Sequence, residues 1–166
     1  MSFSLIPKII KDRLTDLTPD ELKRRGITFL MMDFDNTIVP YTTDVPTPEM
    51  EQWLKQMQQS EIGICVVSNS KHDRVVKFCE PRGIPVITHA KKPFSRGILQ
   101  CKAQFGLDLS HAALVGDQIY TDVLGANCAG AVSILVKAIH NHNIWLKLRH
   151  VLELPFIFIG KQRKRR

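Results

Sequence analysis

Thr28-Phe29-Leu30-Met31-Met32-Asp33-Phe34-Asp35-Asn36-Thr37 is the stretch that decides the architecture of this 166-residue chain. An uncharged, largely apolar run stops at an aspartate, and a second carboxylate follows two positions later. A continuous apolar run suits a strand buried on both faces, as in a parallel sheet, better than a strand with one wet face. Comparable runs occupy 62–67, ending at Ser68, 85–88, 112–115, ending at Gly116-Asp117, and 131–136. Helical patterns fill the gaps. In 47–59, Pro48 stands near the start and Met50, Trp53, Leu54 and Met57 share one face. Further helices are expected over 73–79, 95–105 and 120–129. Strands alternating with helices predict right-handed βαβ units, hence an α/β fold with a doubly wound, mainly parallel sheet.

Ligands in such sheets bind beyond the carboxyl ends of the strands. Asp33, Ser68 and Asp117 each directly follow a strand candidate. Polar groups from three separate strands should therefore converge on one edge of the sheet.

Composition limits what that edge can serve. The chain is 44% hydrophobic and 23% charged, values of a folded protein and not of a disordered one. Its length suits a single domain over 1–166, with a basic tail at 161–166. Cys65, Cys79, Cys101 and Cys128 are widely spaced without a C-x-x-C pair, which speaks against a zinc site or redox motif. Residues 1–12 are broken by Pro7 and lack the pattern of a cleaved secretory signal. No apolar run approaches the roughly 20 residues that span a bilayer. These features predict a cytoplasmic protein, with peripheral contact at a membrane left open. The net charge of +7 favours a polyanionic partner: nucleic acid, anionic lipid or a phosphorylated substrate. Much of the excess lies in 161–166, where an ordinary solvated tail explains it equally well. His140 and His142 read as part of an exposed loop.

The chemistry-bearing residues fall into four groups. Asp33-Phe34-Asp35-Asn36-Thr37 resembles motif I of the haloacid dehalogenase superfamily, whose phosphatases carry Asp-x-Asp-x-Thr beyond the first strand. Val66-Val67-Ser68-Asn69-Ser70 resembles motif II. Ala90-Lys91-Lys92-Pro93 resembles motif III, which supplies one lysine, with Lys92 favoured over Lys91 by the Lys-Pro pairing. Val115-Gly116-Asp117-Gln118-Ile119-Tyr120-Thr121-Asp122 resembles motif IV. All four stand in the superfamily's order between 28 and about 136. The resemblance implies a Rossmann-like phosphatase dependent on Mg2+ and working through an aspartyl-phosphate. Asp33 is then the nucleophile and a metal ligand. Asp35 is general acid and base, its main-chain carbonyl a ligand. Asp117 completes the protein ligands. Ser68, Asn69 and Lys92 bind the phosphate, while Asp122 and Thr37 support the metal from behind. Asn36 stands where many members have glycine.

Superfamily specificity usually resides in an inserted cap domain, and neither 38–61 nor 70–91 has room for one. An open site suits a bulky substrate whose phosphate projects from a surface. The motif spellings are similar to those of the capless phosphatidylglycerophosphate phosphatase-like family, which implies an anionic phospholipid substrate. The apolar segment 144–159, leading into the basic tail, and Phe3, Leu5, Ile6, Ile9 and Ile10 either pack on the core or touch lipid. Two other readings stay open. One is a phosphomonoesterase acting on a soluble sugar, nucleotide or protein phosphate. The other is a non-catalytic binding protein for RNA or a ribosomal partner, against which the intact set Asp33, Asp35, Lys92 and Asp117 argues. Oligomeric state is not legible in the sequence.

Overall fold

The computed structural model describes residues 3–70, 73–139 and 155–159. Its strands are β1 (Ile9–Ile10), β2 (Phe29–Met32), β3 (Gly63–Val67), β4 (Val86–Ile87), β5 (Ala112–Gly116) and β6 (Val132–Leu135). All pair in parallel, in the order β1-β6-β5-β2-β3-β4. The helices are α1 (Pro19–Arg24), α2 (Pro48–Gln58), α3 (Asp73–Cys79), α4 (Arg96–Phe105) and α5 (Leu124–Ala129), the last preceded by a π-helical turn over Ile119–Val123. From β2 the chain winds outward to β3 and β4, then returns to the other side of β2 for β5 and β6. The order reverses between β2 and β5, and that switch point opens a crevice at the carboxyl edge.

The two faces of the sheet explain the uniformly apolar strands. Leu30, Met32, Ile64, Val66, Ala113 and Val115 point to one face, where Trp53, Leu54 and Met57 of α2 and Phe78 of α3 cover them. The alternate residues Met31, Cys65, Val67 and Leu114 point to the other, against Ile98 and Cys101 of α4 and Ala126 of α5. Side chains alternate with a period of two, but both faces are dry, so no polar residue marks the alternation. Helix α2 starts as the sequence suggests. Thr47 Oγ1 accepts the Met50 N–H at 3.2 Å, and Pro48 occupies the first turn, where its missing N–H costs nothing.

Three features go beyond the expected elements. Ile9–Ile10 forms an edge strand on β6, so this part of the N-terminal apolar stretch packs on the core. Helix α1 follows Thr18, whose hydroxyl accepts the Glu21 N–H. The expected helix over 120–129 begins as a π turn, with Asp122 N and Val123 N both donating to the Gln118 carbonyl. Of the apolar C-terminal segment, residues 155–159 are helical, and Phe156 and Ile157 pack with Leu5 and Ile10 against Ile119, Val123 and Leu135. Phe3 is exposed. His140, His142, residues 144–154 and the tail 161–166 lie outside the described residues.

Candidate active site

Register puts the site together. Met32 of β2 stands opposite Val66 of β3 and Val115 of β5, so the residues just beyond these three strands leave the sheet side by side. The ladder continues one step further, with Asp33 N donating to the Val115 carbonyl at 2.9 Å. Asp33 and Asp117 thus flank the switch point, and Ser68 follows on the next strand. Ala90 N donates to the Ser68 carbonyl at 3.0 Å, which ties the segment carrying Lys92 to the same edge.

Lys92 is the centre of the cluster. Its Nζ lies 2.6 Å from Asp33 Oδ1 and 2.6 Å from Asp122 Oδ1. Lys92 and Asp122 side chains are each 1% exposed and Asp33 is 9% exposed, so these charges meet in a place that excludes water. Burial pushes the Asp33 carboxyl up to about 7. The Lys92 ammonium pulls the other way, and the charges of Asp122 and Asp35 add to the rise. Burial alone would lower the Lys92 ammonium, but Asp122 and Asp33 outweigh it and hold it above the usual lysine value. Lys91, by contrast, is exposed, with a left-handed backbone at φ 54°. Lys92 is the lysine that enters the site.

Asp122 is held from two sides. Besides the Lys92 contact, its Oδ2 accepts the Gln118 N–H at 3.1 Å across the π turn. Gly116 makes this possible: a Cβ at that position would lie 2.7 Å from Asp122 Cβ and overlap the carboxyl group. Asn69 works on Lys92 itself, since its Nδ2 donates to the Lys92 carbonyl at 2.9 Å and its Oδ1 accepts the Lys92 N–H at 2.7 Å. Both polar atoms of the Asn69 side chain are therefore on lysine main chain. Ser68 is buried and its Oγ accepts the Ser70 N–H at 3.0 Å. Asn36 is buried at φ 60°, a left-handed conformation that asparagine adopts more readily than most residues. Thr37 is also buried, and its Oγ1 has no hydrogen-bond partner among the described residues.

An open cavity of about 200 Å³ faces the cluster, with Asp33, Asp35, Ser68, Lys92, Gln118 and Tyr41 on its wall. Asp35 stands at its side and turns to Arg74, whose Nη1 donates to Asp35 Oδ1 at 2.6 Å. Sequence reasoning passed over Arg74. A signal existed: a cation in the first turn of α3 opposes the helix dipole, and such a placement calls for a partner.

Asp33, Asp117 and Asp122 bring carboxylate oxygens within 4.8 Å of one another, and all three are buried. Three carboxylates against the one ammonium of Lys92 leave an excess of negative charge in a dry place. A purely oxygen donor set with that charge fits a hard divalent cation such as magnesium. Chemically, the arrangement offers a pre-oriented carboxylate, a fixed ammonium beside it, and a second carboxylate at the cavity wall.

The sequence model of a family described as mitochondrial PGP phosphatase matches residues 2–139. The chain belongs to the PGP phosphatase family. With its motif order and fold, this makes it a phosphatase of the haloacid dehalogenase superfamily. It is 35% identical over 134 residues to "Probable phosphatase YqeG" of Bacillus subtilis, covering 81% of this chain and 77% of that one. It is 30% identical over 126 residues to the chloroplastic phosphatidylglycerophosphate phosphatase 1 of Chlamydomonas reinhardtii, covering 70% of this chain and 46% of that longer protein. Among solved structures, the 3-deoxy-D-manno-octulosonate 8-phosphate phosphatase of Moraxella catarrhalis, in complex with magnesium, phosphate and KDO, superposes with a TM-score of 0.50. Identity there is 16%, over 86% of this chain and 95% of that one, which speaks to fold alone.

Proposed function

We propose that the protein is a single-domain, capless phosphatase that removes the terminal phosphate of phosphatidylglycerophosphate by way of a phosphorylated Asp33. The observation that carries this reading is the buried chain Asp33–Lys92–Asp122, of which Asp33 and Lys92 line an open cavity. A carboxylate gripped by a fixed ammonium is oriented for in-line attack without loss of entropy at the moment of reaction. Asp33 forms a bond to phosphorus as the ester P–O bond breaks, and the electron pair of that bond leaves on the alcohol oxygen. Asp35 gives this oxygen its proton, then takes a proton from the water that hydrolyses the aspartyl-phosphate. Ser68 and the backbone N–H groups beside it cradle the phosphate oxygens. Lys92 neutralises charge on the phosphoryl group and holds Asp33 in place, and Asn69 keeps Lys92 in register.

Asp33, Asp117 and the main-chain carbonyl of Asp35 would hold a magnesium ion, with Asp122 supporting the set. That ion supplies, when bound, the positive charge that lets a carboxylate approach a phosphate. The substrate class rests on two supports. Helix α2 begins at Pro48 and α3 at Asp73, and the segments 33–47 and 68–72 that lead to them from β2 and β3 are shorter than a cap domain would need, which supports an open site. The family's description and the name of the chloroplastic relative both specify the lipid. Among the described residues no helix is long and apolar enough to cross a membrane. Peripheral contact with a membrane would bring the site to such a substrate, and the exposed Phe158 and Ile159 with the basic residues of 161–166 are suited to it.

Phosphate release from phosphatidylglycerophosphate in mixed micelles, beside a panel of soluble sugar, nucleotide and peptide phosphates, tests this reading. The lipid should be preferred, and chelation of divalent cations should abolish release. Activity confined to soluble esters would discard the lipid, and inactivity on all of them would favour a binding protein.

A further inference from the structure

We infer that Arg74 is the positioning residue for Asp35, and that it sets the proton donor by tying it to the loop over 40–44. The guanidinium makes four hydrogen bonds, with all three of its nitrogens taking part. Nη1 reaches Asp35 Oδ1 at 2.6 Å, Nη2 donates to the carbonyls of Pro40 and Thr43 at 2.7 Å each, and Nε meets Asp44 Oδ1. The group also lies over the Phe34 ring, 5.1 Å from its centroid. An exposed ion pair would contribute little. This one is different, because the Arg74 side chain is 21% exposed and Asp35 17%, and one rigid planar cation serves four acceptors from two parts of the chain.

Asp35 follows β2 by three residues, in a tight turn whose backbone is held by the bridge between Asp35 and Val39 and by the Asn36 N–H donating to the Val39 carbonyl at 2.7 Å. Its side chain is tied to α3 through Arg74. Arg74 fixes Oδ1 and with it the plane of the carboxyl group. The same cation holds the loop whose Tyr41 lines the cavity, so the donor and the wall beside the leaving group move as one body. A proton donor displaced by about 1 Å loses much of its effect. Fixation of this kind is therefore catalytic in consequence, although Arg74 touches neither the reacting phosphorus nor the leaving oxygen.

The inference rests on the acid role proposed for Asp35, and the leaving group separates the two. p-Nitrophenol departs without a proton, whereas an alkyl alcohol needs one as the P–O bond breaks. The experiment measures kcat/KM, which reports phosphoryl transfer to Asp33 and not the later hydrolysis. The substrates are p-nitrophenyl phosphate and glycerol 3-phosphate, and the proteins are the parent, Asp35→Asn, Arg74→Met and Arg74→Lys. Asp35→Asn should lose far more on the alkyl ester than on the aryl ester. Arg74→Met should show the same selectivity, with about tenfold greater loss on the alkyl ester. Arg74→Lys should not restore it, because a compact ammonium cannot span the four acceptors. Equal losses on both esters, or none, in Arg74→Met beside a selective Asp35→Asn would overturn the role of Arg74. Absence of selectivity in Asp35→Asn would instead overturn the acid role itself. If Arg74→Met does not fold, Asp44→Asn loosens the same guanidinium from its exposed side. A smaller shift in the same direction is then expected, and no shift would overturn the inference.

Discussion

Gly116 and Asp122 show how closely this site is fitted residue by residue. Asp122 reaches Lys92 only by occupying the space a side chain at 116 would need. Gly116→Ala should therefore cost about 1–3 kcal/mol of stability, the usual penalty for overpacking a filled interior. It should also lower phosphatase activity, because Asp122 must swing off Lys92 to make room. Urea unfolding and steady-state rates on one soluble ester check both effects. Unchanged stability would mean that Asp122 is not held where the structure has it. Asn69 and Lys92 were legible as neighbours in motif order, but not the contact between them. Two hydrogen bonds to the lysine main chain depend on the turn that follows β4, and nothing local in the sequence encodes that turn's shape.

At the scale of elements, the edge strand is held on by charge as well as by pairing. Lys11, just past β1, reaches Glu21 of α1 at 2.5 Å, and Arg25 reaches the same carboxylate at 3.1 Å. Burial raises the Glu21 carboxyl, but Lys11 and Arg25 together hold it below its ordinary value of 4.5. A carboxyl whose folded value is depressed adds stability above its unfolded value, and that addition is lost as pH falls through the folded one. Glu21→Gln should cost about 1 kcal/mol near neutral pH. The gap in urea midpoint between the two proteins should close as pH drops below about 4. A gap constant from pH 7 to pH 3 would show that the pairs contribute nothing. The sequence announced β2 to β6 and α2 to α5, because long apolar runs and full helical turns carry periodicity. It was silent on β1 and α1. Ile9-Ile10 sit between Lys8 and Lys11 just after Pro7, and the stretch Pro19–Arg24 offers Leu22 as its one aliphatic core residue, so neither shows an apolar run or face, although Thr18-Pro19 was a readable start signal.

Across the whole molecule, the winding of the sheet makes the chemistry possible. Residues 33, 68, 92 and 117 are far apart in sequence, yet the reversal of strand order between β2 and β5 delivers them to one crevice. The apolar runs and their polar ends foretold that convergence before any distance was known. The distances were not foretold, nor was Arg74, whose partners lie 30 or more residues away and come together only when α3 packs beside the loop over 40–44. The central claim is that Asp33 carries the phosphoryl group, and trapping tests it most directly. Protein mixed with a phosphate ester and magnesium, then quenched in acid within one turnover, is treated with borohydride, which reduces an aspartyl-phosphate to homoserine. Peptide mass analysis should find homoserine at position 33, and none in Asp33→Asn. Homoserine at another aspartate, or turnover by Asp33→Asn at the parent rate, would contradict the account.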